Sequence, residues 1–100
     1  MADLDRLLEV AGDASYGKAR QMVVLSLWRY RKDHRVEVVL VRLADDPDVC
    51  LHAMSALRRT IGNEAALPLL RRLSETSIHE SVRLQAAREM RKARRAATAT

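Results

Sequence analysis

Three histidines, one cysteine and a short run of aspartates are the residues of this chain whose types suit covalent or metal chemistry. His34, His52 and His79 lie 18 and 27 residues apart, without an HExxH pair or a second cysteine, so metal-ligand spacing is not met and each reads as an ordinary surface or half-buried histidine. Cys50 has His52 two positions on, but residues two apart on a helix point about 200° from one another, which is poor geometry for a thiolate–imidazole dyad. Asp45, Asp46 and Asp48 lack the glycine and closing glutamate of a calcium loop, and helix capping explains them better. The chain carries no glycine-rich phosphate loop, nucleophile elbow or Ser-His-Asp pattern. The expectation is a non-enzymatic protein with no cofactor and no metal.

Charge and apolar surface are what the sequence offers instead. The net charge is +5 and the pI is near 10.1. Residues 1–15 carry −3, 16–35 carry +5, 36–80 carry −2 and 81–100 carry +5, so base gathers in two stretches. Arg29, Arg58, Arg59, Arg91 and Lys92 fall near the ends of helical segments, with Arg31, Lys32 and Arg35 beside the first of them. Two readings stand. Cations at helix C-termini answer the helix dipole, each contributing about 0.3–1 kcal/mol when exposed. The same groups in a row also suit phosphates or an acidic protein surface, and nucleic-acid affinity would then fall with salt.

Apolar side chains left over from the core pattern form the second surface feature. Met22, Val24, Leu25 and Trp28 are left over in one segment and Leu51 and Met54 in a later one, with Val38 and Val41 adding an apolar edge between them. Leu25 and Trp28 are three apart on one helical face, and Leu51 and Met54 have the same spacing. Either packing between neighbouring helices covers them, or they form a protein-binding or homodimer face with Trp28 as anchor, because tryptophan is enriched at the energetic centres of interfaces. The candidate contact set is Leu25, Trp28, Arg29, Leu51, Met54, Arg58 and Arg59, with Arg31, Lys32, Arg35, Arg91 and Lys92 as candidate anion-binding groups.

The elements that must position these residues are helices. The chain of 100 residues is 48% apolar and 31% charged, the size and composition of one small globular domain. Phe is absent, and three Gly with two Pro leave few turn formers for an all-β domain. No apolar run reaches the roughly 18 residues of a membrane span, and the acidic start does not resemble a signal peptide. A single cysteine fits a reducing compartment, so a cytoplasmic location is expected. The Ala-, Arg- and Val-rich composition has a bacterial character.

Lys18 to Leu43 matches Asp48 to Leu73 at a shift of 30. Ala19, Val23 and Leu27 fall on Val49, Ala53 and Leu57, while Val36, Val39, Leu40 and Leu43 fall on Ala66, Leu69, Leu70 and Leu73. A shift of 33 brings Val82, Ala86 and Met90 onto Val49, Ala53 and Leu57, and Leu4, Leu7, Leu8 and Ala11 match Val36, Val39, Leu40 and Leu43 at a shift of 32. Six helices are expected, as a half repeat, two full repeats and a half repeat, over residues 1–96 with a disordered tail at 97–100. Asp3, Asp46 followed by Pro47, and a Ser77/Glu80 capping box are the expected helix starts. Gly12, in the left-handed conformation, and Gly62 are the expected stops, with Asn63 the expected cap of the helix that follows. Pro68 predicts a helix beginning near Ala65 or with a loosened entry.

The stretch Asp46-Pro47-Asp48-Val49, then Ala53, Ala56, Leu57, Ile61-Gly62 and Ala65 through Leu73, resembles the short HEAT-like repeats of the phycobilisome-lyase type. The resemblance spans about Tyr16 to Ala93 and implies an all-α, right-handed HEAT-like solenoid that holds a protein or nucleic-acid partner on a curved surface. Families of this kind often place Arg after the first-helix Val, in a ladder with Asp from neighbouring repeats. Here those positions hold Arg20, Cys50 and Arg83. The expected function is a small protein-binding module, an adaptor, assembly factor or inhibitor of a partner, with an acidic partner suited to its basic groups. Sequence-independent nucleic-acid binding is the alternative.

Overall fold

The computed structural model describes residues 3–98, and those residues form six α-helices with no strand among them. They are α1 (Leu4–Gly12), α2 (Gln21–Ser26), α3 (His34–Leu43), α4 (Cys50–Ile61), α5 (Asn63–Thr76) and α6 (Glu80–Thr98). The short α2 is flanked by 3-10 segments at Ala14–Arg20 and Leu27–Tyr30. Side chains supply acceptors where exposed backbone donors need them. Asp3 Oδ1 accepts from Arg6 N at 2.8 Å to start α1, and Asp33 Oδ1 accepts from Arg35 N at 3.0 Å to start α3.

The helices pack as a slab with Cα extents of 38 × 31 × 17 Å. The central helix, α4, meets α2, α3, α5 and α6, while α6 runs along α5 and α1 closes the N-terminal end against α2 and α3. Leu27 and Leu57, aligned at the shift of 30, are both fully buried. So are the aligned pairs Val36/Ala66 and Leu40/Leu70, and Leu43 and Leu73 are buried too. Each such leucine contributes roughly 1.5–3 kcal/mol relative to an exposed one. Ala19 departs from the pattern, because it is exposed in the irregular 3-10 segment while Val49 is buried.

Several local expectations are corrected. Gly12 ends α1 without a left-handed φ; positive φ occurs at Gly17 and Gly62. What Gly12 provides is room, since a Cβ there would stand 2.9 Å from the Arg42 guanidinium. Asp46 caps a turn rather than α4 itself, accepting from Asp48 N at 2.9 Å, and α4 starts at Cys50. The Ser77 hydroxyl donates to Asp45 Oδ1 and accepts from His79 N, so it forms no reciprocal box with Glu80. Pro68 lies inside α5, which begins at Asn63, earlier than expected; Asn63 is the first helical residue and not the cap, and its Oδ1 accepts from Arg58 Nε instead. At the far end α6 continues through Thr98, so 97–98 are helical, and residues 99–100 of the expected tail lie outside the described residues.

Candidate functional site

Two adjoining concavities share Arg59. One, of about 310 Å³, is lined by Met22, Leu25, Ser26, Trp28, Arg29 and Arg59. The other, of about 240 Å³, is lined by Ser55, Arg58, Arg59 and Asn63. Their position follows from the chain: α2 and the 3-10 turn after it present Met22, Leu25 and Trp28, and the last turns of α4 present Ser55, Arg58 and Arg59 beside them. Met22 is 67% exposed, while Leu25 and Trp28 are half-buried with an edge open to the cleft.

Trp28 is held between helices by cations. The guanidinium carbons of Arg31 and Arg59 each stand over its ring, 5.4 Å from the centroid. Such contacts contribute about 0.5–1 kcal/mol at exposed sites and also fix the side chains involved. Arg29 and Arg59 are exposed, and among the described residues neither guanidinium forms an ion pair, so their charge-assisted donors face solvent.

Arg58 differs. Its Nε donates to Asn63 Oδ1 at 3.0 Å and its Nη1 to Glu89 Oε1 at 3.0 Å. Glu89 is a carboxylate only 1% exposed, and its other oxygen accepts from Gln85 Nε2 at 3.0 Å and Lys92 Nζ at 3.2 Å. A buried charge is tolerated only when paired and hydrogen-bonded. The result ties α4 to α6 and holds the polar cleft's arginine in place. A second buried ionic cluster orders the N-terminal end. Arg20, 1% exposed, donates to Ala11 O at 2.8 Å, Gly17 O at 2.9 Å and Asp46 Oδ2 at 2.6 Å. It joins α1, the 3-10 segment and the loop before α4. At the Cys50 position no such rung exists, and Arg83 instead donates to Ser77 O at 2.6 Å.

The expected contact set is therefore divided. Leu25, Trp28, Arg29, Arg58 and Arg59 come together at the paired clefts. Met54 and Val24 are corrections: expected at the surface, both are fully buried, because they share one register 30 residues apart on the core side of their helices. Leu51 is 45% exposed on the face of α4 that carries Ser55, one turn away, but it lines neither cleft. Of the candidate anion-binding groups, Arg31 sits over Trp28, Lys92 is paired with Glu89, and Arg35 is paired with Asp5 at 2.6 Å and Asp33 at 2.9 Å. Lys32 and Arg91 are exposed. Met22, Ser26, Ser55 and Asn63 complete the clefts and were absent from the expected set; the signal for Ser55 is its position three and four residues before Arg58 and Arg59, on the same face.

The titratable groups do little elsewhere. Hydrogen bonds from the Ser15 hydroxyl and backbone hold the Asp13 carboxyl below the usual carboxylate range, and the Arg35 side chain and backbone do the same for Asp33. Burial pushes the Cys50 thiol up, so it stays protonated. His52 Nδ1 is buried without a partner on half-buried His52. Among the described residues no group of three His, Cys, Asp or Glu side chains is placed to hold a metal ion, and no helix is long and apolar enough to cross a membrane.

No protein-family model matches this chain, and no curated protein or solved structure is significantly similar to it.

Proposed function

We propose that the chain is a small HEAT-like helical-repeat module that binds an acidic protein partner at the paired clefts around Trp28, without catalysing a reaction. The repeat reading is supported by equal burial at positions 30 residues apart, in Leu27/Leu57, Val36/Ala66 and Leu40/Leu70, and by the contacts of α2 with α4 and of α4 with α6. The observation that carries the binding reading is Trp28 itself. A half-buried tryptophan, packed under Arg31 and Arg59 and opening onto Met22 and Leu25, combines a rigid aromatic anchor with charge-assisted donors. Trp and Arg are the residue types that most often dominate interface energetics. An acidic partner follows from Arg29, Arg58 and Arg59 at the rim, where opposite charge speeds encounter and selects partners. A cytoplasmic setting suits the lone buried thiol of Cys50. An adaptor, assembly factor or inhibitor all work in this way.

Affinity capture with the intact chain and with its Trp28→Ala variant tests this, followed by reconstitution with the purified partner. Loss of at least tenfold in affinity with unchanged helical content supports the reading. Equal binding by both proteins contradicts it.

One observation favours sequence-independent nucleic-acid binding as a second reading. Exposed Arg88, Arg91 and Arg95 recur at helical spacing along one face of α6. Gel shifts with random duplex at about 50 mM salt decide it, because counterion release makes such binding strongest there.

A further inference from the structure

The polar cleft beside the Trp28 surface has the composition of an anion site rather than of an apolar groove. Its lining is Ser55, Arg58, Arg59 and Asn63, one hydroxyl, two guanidinium groups and one amide, without an acidic residue among them. Each cation is already held by contacts within the protein. Arg58 is held by Asn63 and by the buried Glu89, and Arg59 is held by stacking over Trp28. Fixing both in advance lowers the ordering cost of binding an oxyanion. Arg59 also lines the apolar cleft, so a ligand group in one lies next to a ligand group in the other.

We propose that Ser55, Arg58, Arg59 and Asn63 form a carboxylate subsite that receives an Asp or Glu side chain of the partner while a neighbouring apolar side chain of the same segment fills the Met22, Leu25 and Trp28 cleft. The inference rests on the protein-binding reading above and specifies its ligand: a segment with an acid within about one helical turn of a large apolar residue, since that spacing puts both on one face. Charge complementarity selects this occupant. The rim offers Arg29, Arg58 and Arg59, and planar guanidinium forks match carboxylate geometry in pairs of hydrogen bonds. Ser55 adds a hydroxyl donor to the lining.

The test is selection of a random peptide library on the intact chain, with the selected peptides then measured by titration against variants whose helical content and thermal unfolding are checked. The expected result is that binders carry Asp or Glu within four residues of a large apolar residue, and that replacing the acid by its amide weakens them at least tenfold. Arg59→Ala and Ser55→Ala weaken them as well, and Arg59→Lys fails to restore full affinity. Binders that depend on Trp28 but are indifferent to their own acid and to Arg59 overturn the subsite and leave the docking surface standing. Binders indifferent to Trp28, or no binders, overturn both. Random duplex DNA whose binding is lost in Arg59→Ala, with no acidic peptide selected, assigns the cleft to phosphate and overturns the carboxylate assignment.

Discussion

The Arg59 guanidinium lies 5.4 Å from the centre of the Trp28 ring and joins the last turn of α4 to the 3-10 turn that follows α2. This contact merges an apolar cleft and a polar one into a single surface, because Arg59 lines both. Behind it, the core is aliphatic, and buried Arg20 and Glu89 are paired with Asp46 and with Arg58 and Lys92. The core side of α4 and its exposed side are thus distinct.

Met54 and Leu51 separate those two sides. Met54 is fully buried, so Met54→Ala leaves a cavity and is expected to cost about 2–5 kcal/mol. Leu51→Ala, at an exposed position, is expected to change stability by less than about 1 kcal/mol. Urea unfolding of both variants measures the difference, and comparable losses contradict the assignment of faces.

Glu89 is the acid that neutralises Arg58 and Lys92 from within. Glu89→Gln removes that charge and is expected to cost about 2 kcal/mol, less than the loss of a fully buried pair, because Arg58 and Lys92 retain access to water. The same substitution is expected to loosen Arg58. With the Nη1 contact to Glu89 gone, the Arg58 Nε–H, bonded to Asn63, should lose protection from solvent exchange and broaden when followed by NMR.

Gly12 and Gly62 are expected to respond oppositely to alanine. Gly62 has φ 91° and ψ 156°, a region almost confined to glycine, so Gly62→Ala should cost about 1–3 kcal/mol. Gly12 has no positive φ, and the added methyl meets only the mobile end of Arg42. Gly12→Ala should therefore fall within about 0.5 kcal/mol of the parent in thermal unfolding.

Acid should weaken the helix starts at Asp13 and Asp33. Their carboxyls titrate below the ordinary value near 3.8, through hydrogen bonds from Ser15 and from Arg35 respectively. A lowered folded value means the charged form is the one stabilised. The contribution is present above the unfolded value and is lost as pH falls through the folded one. Helical content followed by circular dichroism should drop below about pH 4, and the Asp33→Asn variant should show a smaller drop.

Much of this arrangement is legible in the amino-acid sequence, and the reasons for the remainder are physical. The apolar spacing that aligns Leu27 with Leu57 and Leu40 with Leu70 is a local helical property, so it gives six helices and most of the core directly. The burial of Arg20 depends on carbonyls of Ala11 and Gly17 and on Asp46, which tertiary packing alone brings together. Glu89 left a clue, since a shift of 33 places it on the buried Ala56. At the surface, periodicity found Leu25 and Trp28 but placed Met54 outward, because residues at the edge of a helical stripe are assigned by whichever helix packs beside them. Here α2, α3, α5 and α6 all pack against α4. Ser55 and Asn63 enter the site through neighbours in space.

Trp28 is the chain's single tryptophan, so its emission reports on this surface alone. The most direct measurement is Trp fluorescence with acrylamide quenching, before and after adding a tryptophan-free acidic peptide selected on the intact chain. The account predicts quencher-accessible emission in the free protein, then a blue shift and protection on binding, both abolished by Arg59→Ala when the peptide no longer binds. Emission and quenching that stay unchanged at saturating peptide would contradict it.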